Sequence, residues 1–233
     1  MTHLLPRNPV LLIHGINDTG AVFYKMAPYL SALGWSVHDI SLTPNNGIVG
    51  LDELAQQVAD YIAKTFPPEQ PLDLVGFSMG GIVSRYYVQR LGGMERVQRF
   101  ITISSPHQGT VAAHLSERPG CIQMRPNSPF LQDLNRDVRV LQQLNFTSMW
   151  TPFDLIIIPA NSSQLPVGRE VVLPVPTHPW MLTDTRSIKV VTQALSEPLN
   201  NDGIPDLSEI VTAKNGSRLG VKFKLKQVME RVF

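Results

Sequence analysis

Five residues, Gly76-Phe77-Ser78-Met79-Gly80, set one hydroxyl between two glycines two positions away on either side. That spacing suits a serine nucleophile on a turn too sharp for side chains at its flanks. A serine hydroxyl attacks a carbonyl only when a base takes its proton, so a histidine and an orienting acid must follow. The chemistry would be acyl transfer: attack by Ser78, proton transfer to a histidine, and N–H donors for the developing oxyanion.

The six histidines are His3, His14, His38, His107, His114 and His178. In a strand–serine–helix arrangement the partners follow in the order serine, acid, histidine, which leaves His107, His114 and His178. His178, in "VPTHPW", lies after a late strand and just before the last helical stretch, so it is the expected base. His107, in "SPHQGT", reads as a hydrogen-bonding residue near the site, His114 as surface, and His38 as structural. The acids between Ser78 and His178 are Glu95, Glu117, Asp133, Asp137, Asp154 and Glu170. Asp133 and Asp137 fall in a helical stretch and read as solvated charges. Asp154 comes just beyond a strand end and is the expected acid. The oxyanion donors are expected from the N–H groups of Met79, after the nucleophile, and Ile16, in the loop "LLIHGIN" after an early strand. There Gly15 turns the chain and His14 braces the loop.

These residues need a scaffold that brings distant loops to one edge. "PVLLI", "WSVHDISL", "LDLVGF", "RFITIS", "NFTSMW" and "REVVLPV" read as strands. Helical stripes fall between them: Phe23, Met26, Ala27, Leu30 and Leu33, stopped by Gly34; Leu51, Leu54, Ala55, Val58 and Ile62; 79–91; and 184–195. Strands apolar on both faces, alternating with helices, predict an α/β fold with a mostly parallel central sheet flanked by helices. Residues 105–144 interrupt the alternation with prolines, glycine and a helical "FLQDLNRDVRVLQQL", an excursion of the kind that often covers a site.

Bulk properties narrow the class. The chain has 233 residues and a formal net charge of +1, which gives no electrostatic case for nucleic acid. The single cysteine, Cys121, leaves neither a disulfide framework nor a zinc cluster, and no metal is expected. No signal-type flank precedes the first strand and no apolar run reaches membrane-span length, so a cytoplasmic protein is expected. The basic end, with Lys214, Arg218, Lys222, Lys224, Lys226 and Arg231, reads equally as an edge strand or a helix; it is either a face packed on the domain or a peripheral contact with anionic lipid.

Taken in order, "PVLLIHGIND", "LVGFSMGGIVSRYY", "ITISSPHQGT", "SMWTPFDLIIIP" and "THPWML" resemble the α/β-hydrolase superfamily, and within it bacterial triacylglycerol lipases and esterases. The resemblance spans about residues 8–197. It implies a hydrolase domain over 1–197, a lid or cap at 111–143, and an extension of unknown role at 198–233. It also implies Ser78 as nucleophile, Asp154 as acid, His178 as base, Ile16 and Met79 as oxyanion amides, support from Gly76, Gly80, His14, Gly15 and His107, and no cofactor. The expected activity is cleavage of carboxylic esters, lipase-like, on a small-molecule or lipid ester. An acyltransferase or thioesterase would use the same residues, and a non-catalytic binding protein would keep only the fold. The cap residues Phe130, Leu131, Leu134, Leu141 and Leu144 suit either an acyl chain or ordinary core packing.

Overall fold

The computed structural model describes residues 7–199. His3 and the basic tail lie outside the described residues. Six strands form one sheet: β1 Val10–Ile13, β2 Val37–Ile40, β3 Leu72–Phe77, β4 Val97–Ile103, β5 Asn145–Trp150 and β6 Arg169–Val172. Their order is β2-β1-β3-β4-β5-β6 and every pairing is parallel. Among the described residues six α-helices complete the fold: α1 Met26–Ala32, α2 Leu51–Thr65, α3 Met79–Arg90, α4 Pro119–Gln123, α5 Pro129–Arg136 and α6 Thr185–Ser196.

Alternation along each strand sends successive side chains to opposite faces of the sheet. Leu11, Ile13, Leu72, Leu74, Phe100 and Phe146 meet α2, α3 and α5 in one core. Val10, Leu12, Val75, Phe77, Ile101, Ile103 and Met149 meet α1 and α6 in the other. Both faces being covered explains why the central strands read as apolar runs rather than alternating ones. α2 buries Leu51, Leu54, Ala55, Val58 and Ile62 on one stripe, each leucine contributing about 2 kcal/mol by removal from water. Glu53 Oε1 accepts the Gly50 N–H at its start, satisfying one orphan donor.

Two helical expectations are corrected in detail. The stripe from Phe23 is not one helix but a 3-10 turn, Gly20–Phe23, followed by α1 from Met26. Pro28 explains the break. It lacks an N–H and its ring opposes the carbonyl four residues back, so it is tolerated only in a first turn. The stretch from Phe130 likewise ends as an α-helix at Arg136, and Val138–Gln143 is a 3-10 helix.

The excursion after β4 packs largely into the core. Leu131, Leu134, Leu141 and Leu144 are buried there, and Phe130 stacks on Tyr86 of α3 at 5.3 Å. Arg90 of α3 bonds Asp133 at 2.8 Å and Asp137 at 2.7 Å. Arg85, fully buried, donates to Leu134 O at 2.7 Å. Of the two roles open to these apolar residues, the structure places the four leucines in core packing. Among the described residues no helix is long and apolar enough to cross a membrane.

Candidate active site

Ser78 stands between β3 and α3 with φ 54° and ψ −124°, an angle L-residues rarely adopt. Such a conformation costs about 1–3 kcal/mol and persists only where the surroundings impose it. The Ser78 N–H donates to Ile103 O at 2.8 Å, tying the turn to β4. The glycines give clearance to backbone rather than to the serine itself. A Cβ on Gly76 would meet Gly81 Cα at 2.6 Å, and one on Gly80 would meet the Ile13 and His14 carbonyl oxygens at 2.3 Å. Gly81, which carries no signal in the motif, is packed as tightly: its Cβ would lie 2.0 Å from Ser105 Oγ. The three glycines let the start of α3 lie against β1 and the loop after β4, and this fixes where Ser78 points its chain.

The loop after β1 reaches the same place. A Cβ on Gly15 would come within 3.1 Å of Ser78 Cβ and 3.3 Å of Asp18 Oδ2. His14, wholly buried, accepts the Leu42 N–H on Nε2 at 2.9 Å. Nδ1 therefore carries the proton and donates to Gly15 O at 2.7 Å. Burial holds the His14 pKa below its ordinary value, so this imidazole is a neutral brace between the loops after β1 and β2. Neither the Ile16 nor the Met79 N–H has an acceptor among the described residues. Met79 opens α3, where the first N–H groups have no partner in the helix.

The loop after β5 carries Asp154, and the loop after β6 carries His178. Asp154 Oδ2 and His178 Nδ1 are 2.6 Å apart, both residues buried. Asp154 Oδ1 accepts the N–H groups of Ile156 and Ile157 at 2.9 Å each. Burial works against the carboxylate charge, but the His178 hydrogen bond and charge and these two amides outweigh it, holding Asp154 below the usual carboxylate range. Thr151, unremarked in the sequence, joins the two loops: its hydroxyl donates to Val175 O at 2.5 Å and accepts the Phe153 N–H at 3.2 Å. Four of the other acids are engaged elsewhere: Asp133 and Asp137 pair with Arg90, Glu117 pairs with Arg125, and Glu170 accepts from Trp150 Nε1. The fifth, Glu95, lies in the 3-10 turn Gly93–Glu95 before β4.

His178 packs on Phe77, the residue before Ser78, with ring centroids 4.7 Å apart. No hydrogen bond joins Ser78 Oγ to His178 among the described residues, and a contact of this kind commonly tightens only around substrate. His107 lies across the sheet from His178. It is wholly buried, 3.0 Å from Thr102 Oγ1 and edge-on to Phe146, on the α3 and α5 side. Burial first, and Arg85 second, push its pKa well below the ordinary value. His114 is exposed, and His38 bonds Ser36 and packs on Phe66.

Beside His178 opens a cleft of about 500 Å³, walled by Asp18, Tyr24, Lys25, Phe77, Trp180 and Asp184. On the loops after β4 and β5, Val111, Leu115, Phe153, Leu155, Ile156 and Ile158 are exposed, Leu115 to 91% and Leu155 to 81%. Hydrogen bonds from Val111 N to Ile158 O and from Thr110 Oγ1 to Ile156 O unite those loops. Among the described residues no group of three or more His, Cys, Asp or Glu is arranged to hold a metal ion.

Known structures share this fold at low sequence identity. The mature lipase of Bacillus licheniformis is 15% identical with a TM-score of 0.64, over 83% of this chain and 94% of that one. Aspergillus fumigatus lipase B is 20% identical with a TM-score of 0.70; the match takes in 88% of this chain but only 56% of the lipase. An extracellular α/β-hydrolase from a Paenibacillus species is 16% identical with a TM-score of 0.60, over 82% and 100% of the two chains. These likenesses establish the α/β-hydrolase fold. The family model described as palmitoyl protein thioesterase matches residues 9–151, from β1 through β5 and across Ser78. With more than half of its length so matched, the chain belongs to the palmitoyl protein thioesterase family of α/β-hydrolases.

Proposed function

We propose that the protein is a serine hydrolase that cleaves an acyl ester or thioester through an acyl-enzyme on Ser78, with His178 as base and Asp154 as its orienting acid. The observation that carries this reading is the 2.6 Å contact between His178 Nδ1 and Asp154, beside a serine held at φ 54°. A carboxylate on Nδ1 keeps the proton there and leaves the Nε2 lone pair for the Ser78 hydroxyl. Ser78 Oγ attacks the acyl carbon as its proton passes to Nε2. The carbonyl oxygen becomes an oxyanion, for which the Ile16 and Met79 N–H groups are the donors. Collapse expels the alcohol or thiol, which takes the proton from His178. Water then attacks the acyl-enzyme, gives a proton to His178, and releases the carboxylic acid as Ser78 regains its own.

The acyl part is an apolar chain. The exposed Phe153, Leu155 and Ile156 support this, since they adjoin Asp154 in the chain, Val111 is hydrogen-bonded to Ile158 of the same loop, and apolar surface beside a site favours an apolar ligand. A lid role, expected for 111–143, is confined in this reading to 111–125, because α5 is held to α3 by Arg90 and Arg85. Family membership favours a thioester as much as an oxyester. The deciding experiment gives the protein a matched pair, one long-chain acyl group on an alcohol and on the equivalent thiol, with and without Ser78→Ala. Cleavage of either that depends on Ser78 supports the mechanism, and the preferred leaving atom assigns the class. Cleavage undiminished in Ser78→Ala overturns it.

A further inference from the structure

A general acid that protonates the departing group must stand next to it, so the leaving group belongs on the His178 side of Ser78. The cleft beside His178 meets that condition: Phe77, stacked on His178, and Pro179, next in the chain, are both in its wall. Its composition is unlike that of the exposed apolar loops after β4 and β5. The aromatic side chains Tyr24 and Trp180 are exposed at its edge. Asp18, half-buried, lies on the nucleophile side, since its Oδ2 and the Ser78 Cβ both approach the same point over Gly15.

The charges of this cleft are unevenly satisfied. Asp184 is neutralised by Arg186, which holds it through the guanidinium at 2.7 and 2.9 Å. Lys25 rests 5.9 Å over the Tyr24 ring and makes no ion pair with Asp18. No side chain among the described residues donates to the Asp18 carboxylate, and burial raises its pKa. A partly desolvated carboxylate with no cation of its own, in a cleft edged by aromatic rings, is the recognition chemistry of an alkylammonium group.

We propose that this cleft is the leaving-group subsite and that Asp18, with Trp180 and Tyr24, selects an alcohol or thiol bearing an alkylammonium group near the scissile bond. The proposal rests on the hydrolase reading above. It divides the site into an apolar acyl side and a cation-selective leaving-group side, with Ser78 and His178 between them. Asp18 also faces His14 and His178 electrostatically, so its removal affects every substrate through the imidazolium. The test therefore uses a ratio in which that effect cancels.

The probes are a choline ester and the 3,3-dimethylbutyl ester of the same acyl chain, which differ by a quaternary nitrogen against a carbon. The ratio of their kcat/KM values is measured for the native protein, Asp18→Asn and Trp180→Ala. The native ratio is expected to favour the choline ester about tenfold, the order of one ion pair with aromatic support. It should fall close to one in Asp18→Asn and by a few-fold in Trp180→Ala. A native ratio at or below one, with the neutral ester still cleaved, overturns the subsite and leaves the hydrolase reading intact. A ratio unchanged in Asp18→Asn overturns the role of that residue, and the native ratio needs no variant to fold. Cleavage of neither ester, nor of any p-nitrophenyl ester or acyl thioester, overturns the hydrolase reading and the subsite with it.

Discussion

His178 and Asp154 are joined at 2.6 Å, though one leaves β5 and the other follows β6, 24 residues along. The contact is held from both sides. Asp154 is fixed by two backbone amides, and the His178 loop is tied to the end of β5 by Thr151. Replacing Asp154 by Asn is expected to lower kcat about 10⁴-fold, because an amide can stabilise the wrong tautomer and not the imidazolium. Asp133→Ala should change kcat less than about threefold. Steady-state rates on one p-nitrophenyl ester compare the two, and a larger loss from Asp133→Ala would transfer the acid role away from Asp154.

The glycines around Ser78 make a prediction about stability. In Gly80→Ala the new methyl group would overlap the Ile13 and His14 carbonyl oxygens of β1 and its following loop, which are backbone and cannot swing aside. We expect a loss of about 3 kcal/mol in urea unfolding. Gly92 has φ +82°, and a methyl group there would meet nothing within 4 Å. Its replacement by Ala should cost about 1 kcal/mol, from backbone conformation alone. Equal losses would mean that α3 approaches β1 less closely than these distances require.

Much of this arrangement was legible in order along the chain. The strand, serine and helix pattern around Gly76–Gly80 and the strand ends before Asp154 and His178 are local features, and a parallel sheet brings such ends to one edge. What local pattern could not carry was the identity of long-range neighbours. Gly76 and Gly80 read as clearance for the serine, whereas the atoms they avoid belong to Gly81, Ile13 and His14. The leucines of 131–144 read alike for core or pocket because both need apolar side chains; their burial against α3 depends on Arg85 and Arg90 finding α5. Thr151 and Asp18 carry no motif at all, and only the meeting of loops from different strands gives them partners.

Buried ionisable groups away from the site set a pH dependence of stability. Asp73, wholly buried, accepts from Asn8, from the Arg99 N–H and from the Arg99 guanidinium, yet burial prevails and raises its pKa to about 6. A raised carboxylate pKa contributes stability below the unfolded value, near 3.9, that is lost as pH rises through 6. Arg99→Met should therefore cost about 3 kcal/mol at pH 8, where Asp73 is a buried unpaired charge, and about 1 kcal/mol less at pH 4.5. Denaturant titrations at the two pH values check this; a larger loss at pH 4.5 would contradict it.

His14 and His107 act in the opposite sense. Burial lowers both pKa values, so the stability they contribute is present above the unfolded value, near 6.5, and is lost as pH falls. Replacing His107 by Gln should lower overall stability and make the decline from pH 6.5 to 5 shallower by about one proton, ~1.4 kcal/mol per pH unit. Urea midpoints across that range give the slope, and an unchanged slope would show that His107 does not need to lose its proton to fold.

The proposed acyl side has its own signature. Leu155→Ser and Phe153→Ser, at exposed positions beside Asp154, should raise KM several-fold for a long-chain acyl substrate and leave an acetyl ester within about twofold, since each buried CH₂ is worth about 0.8 kcal/mol. An equal effect on both chain lengths would place the acyl chain elsewhere.

The central claim is that Ser78 is an activated nucleophile. The most direct measurement is intact-mass spectrometry after exposure to an alkyl fluorophosphonate, with peptide mapping of the adduct. The account predicts one phosphonyl group per chain, carried on Ser78, with loss of esterase activity in step and no adduct on Ser78→Ala. Native protein that hydrolyses esters while Ser78 stays unmodified, or a Ser78→Ala protein that is labelled and active, would contradict it.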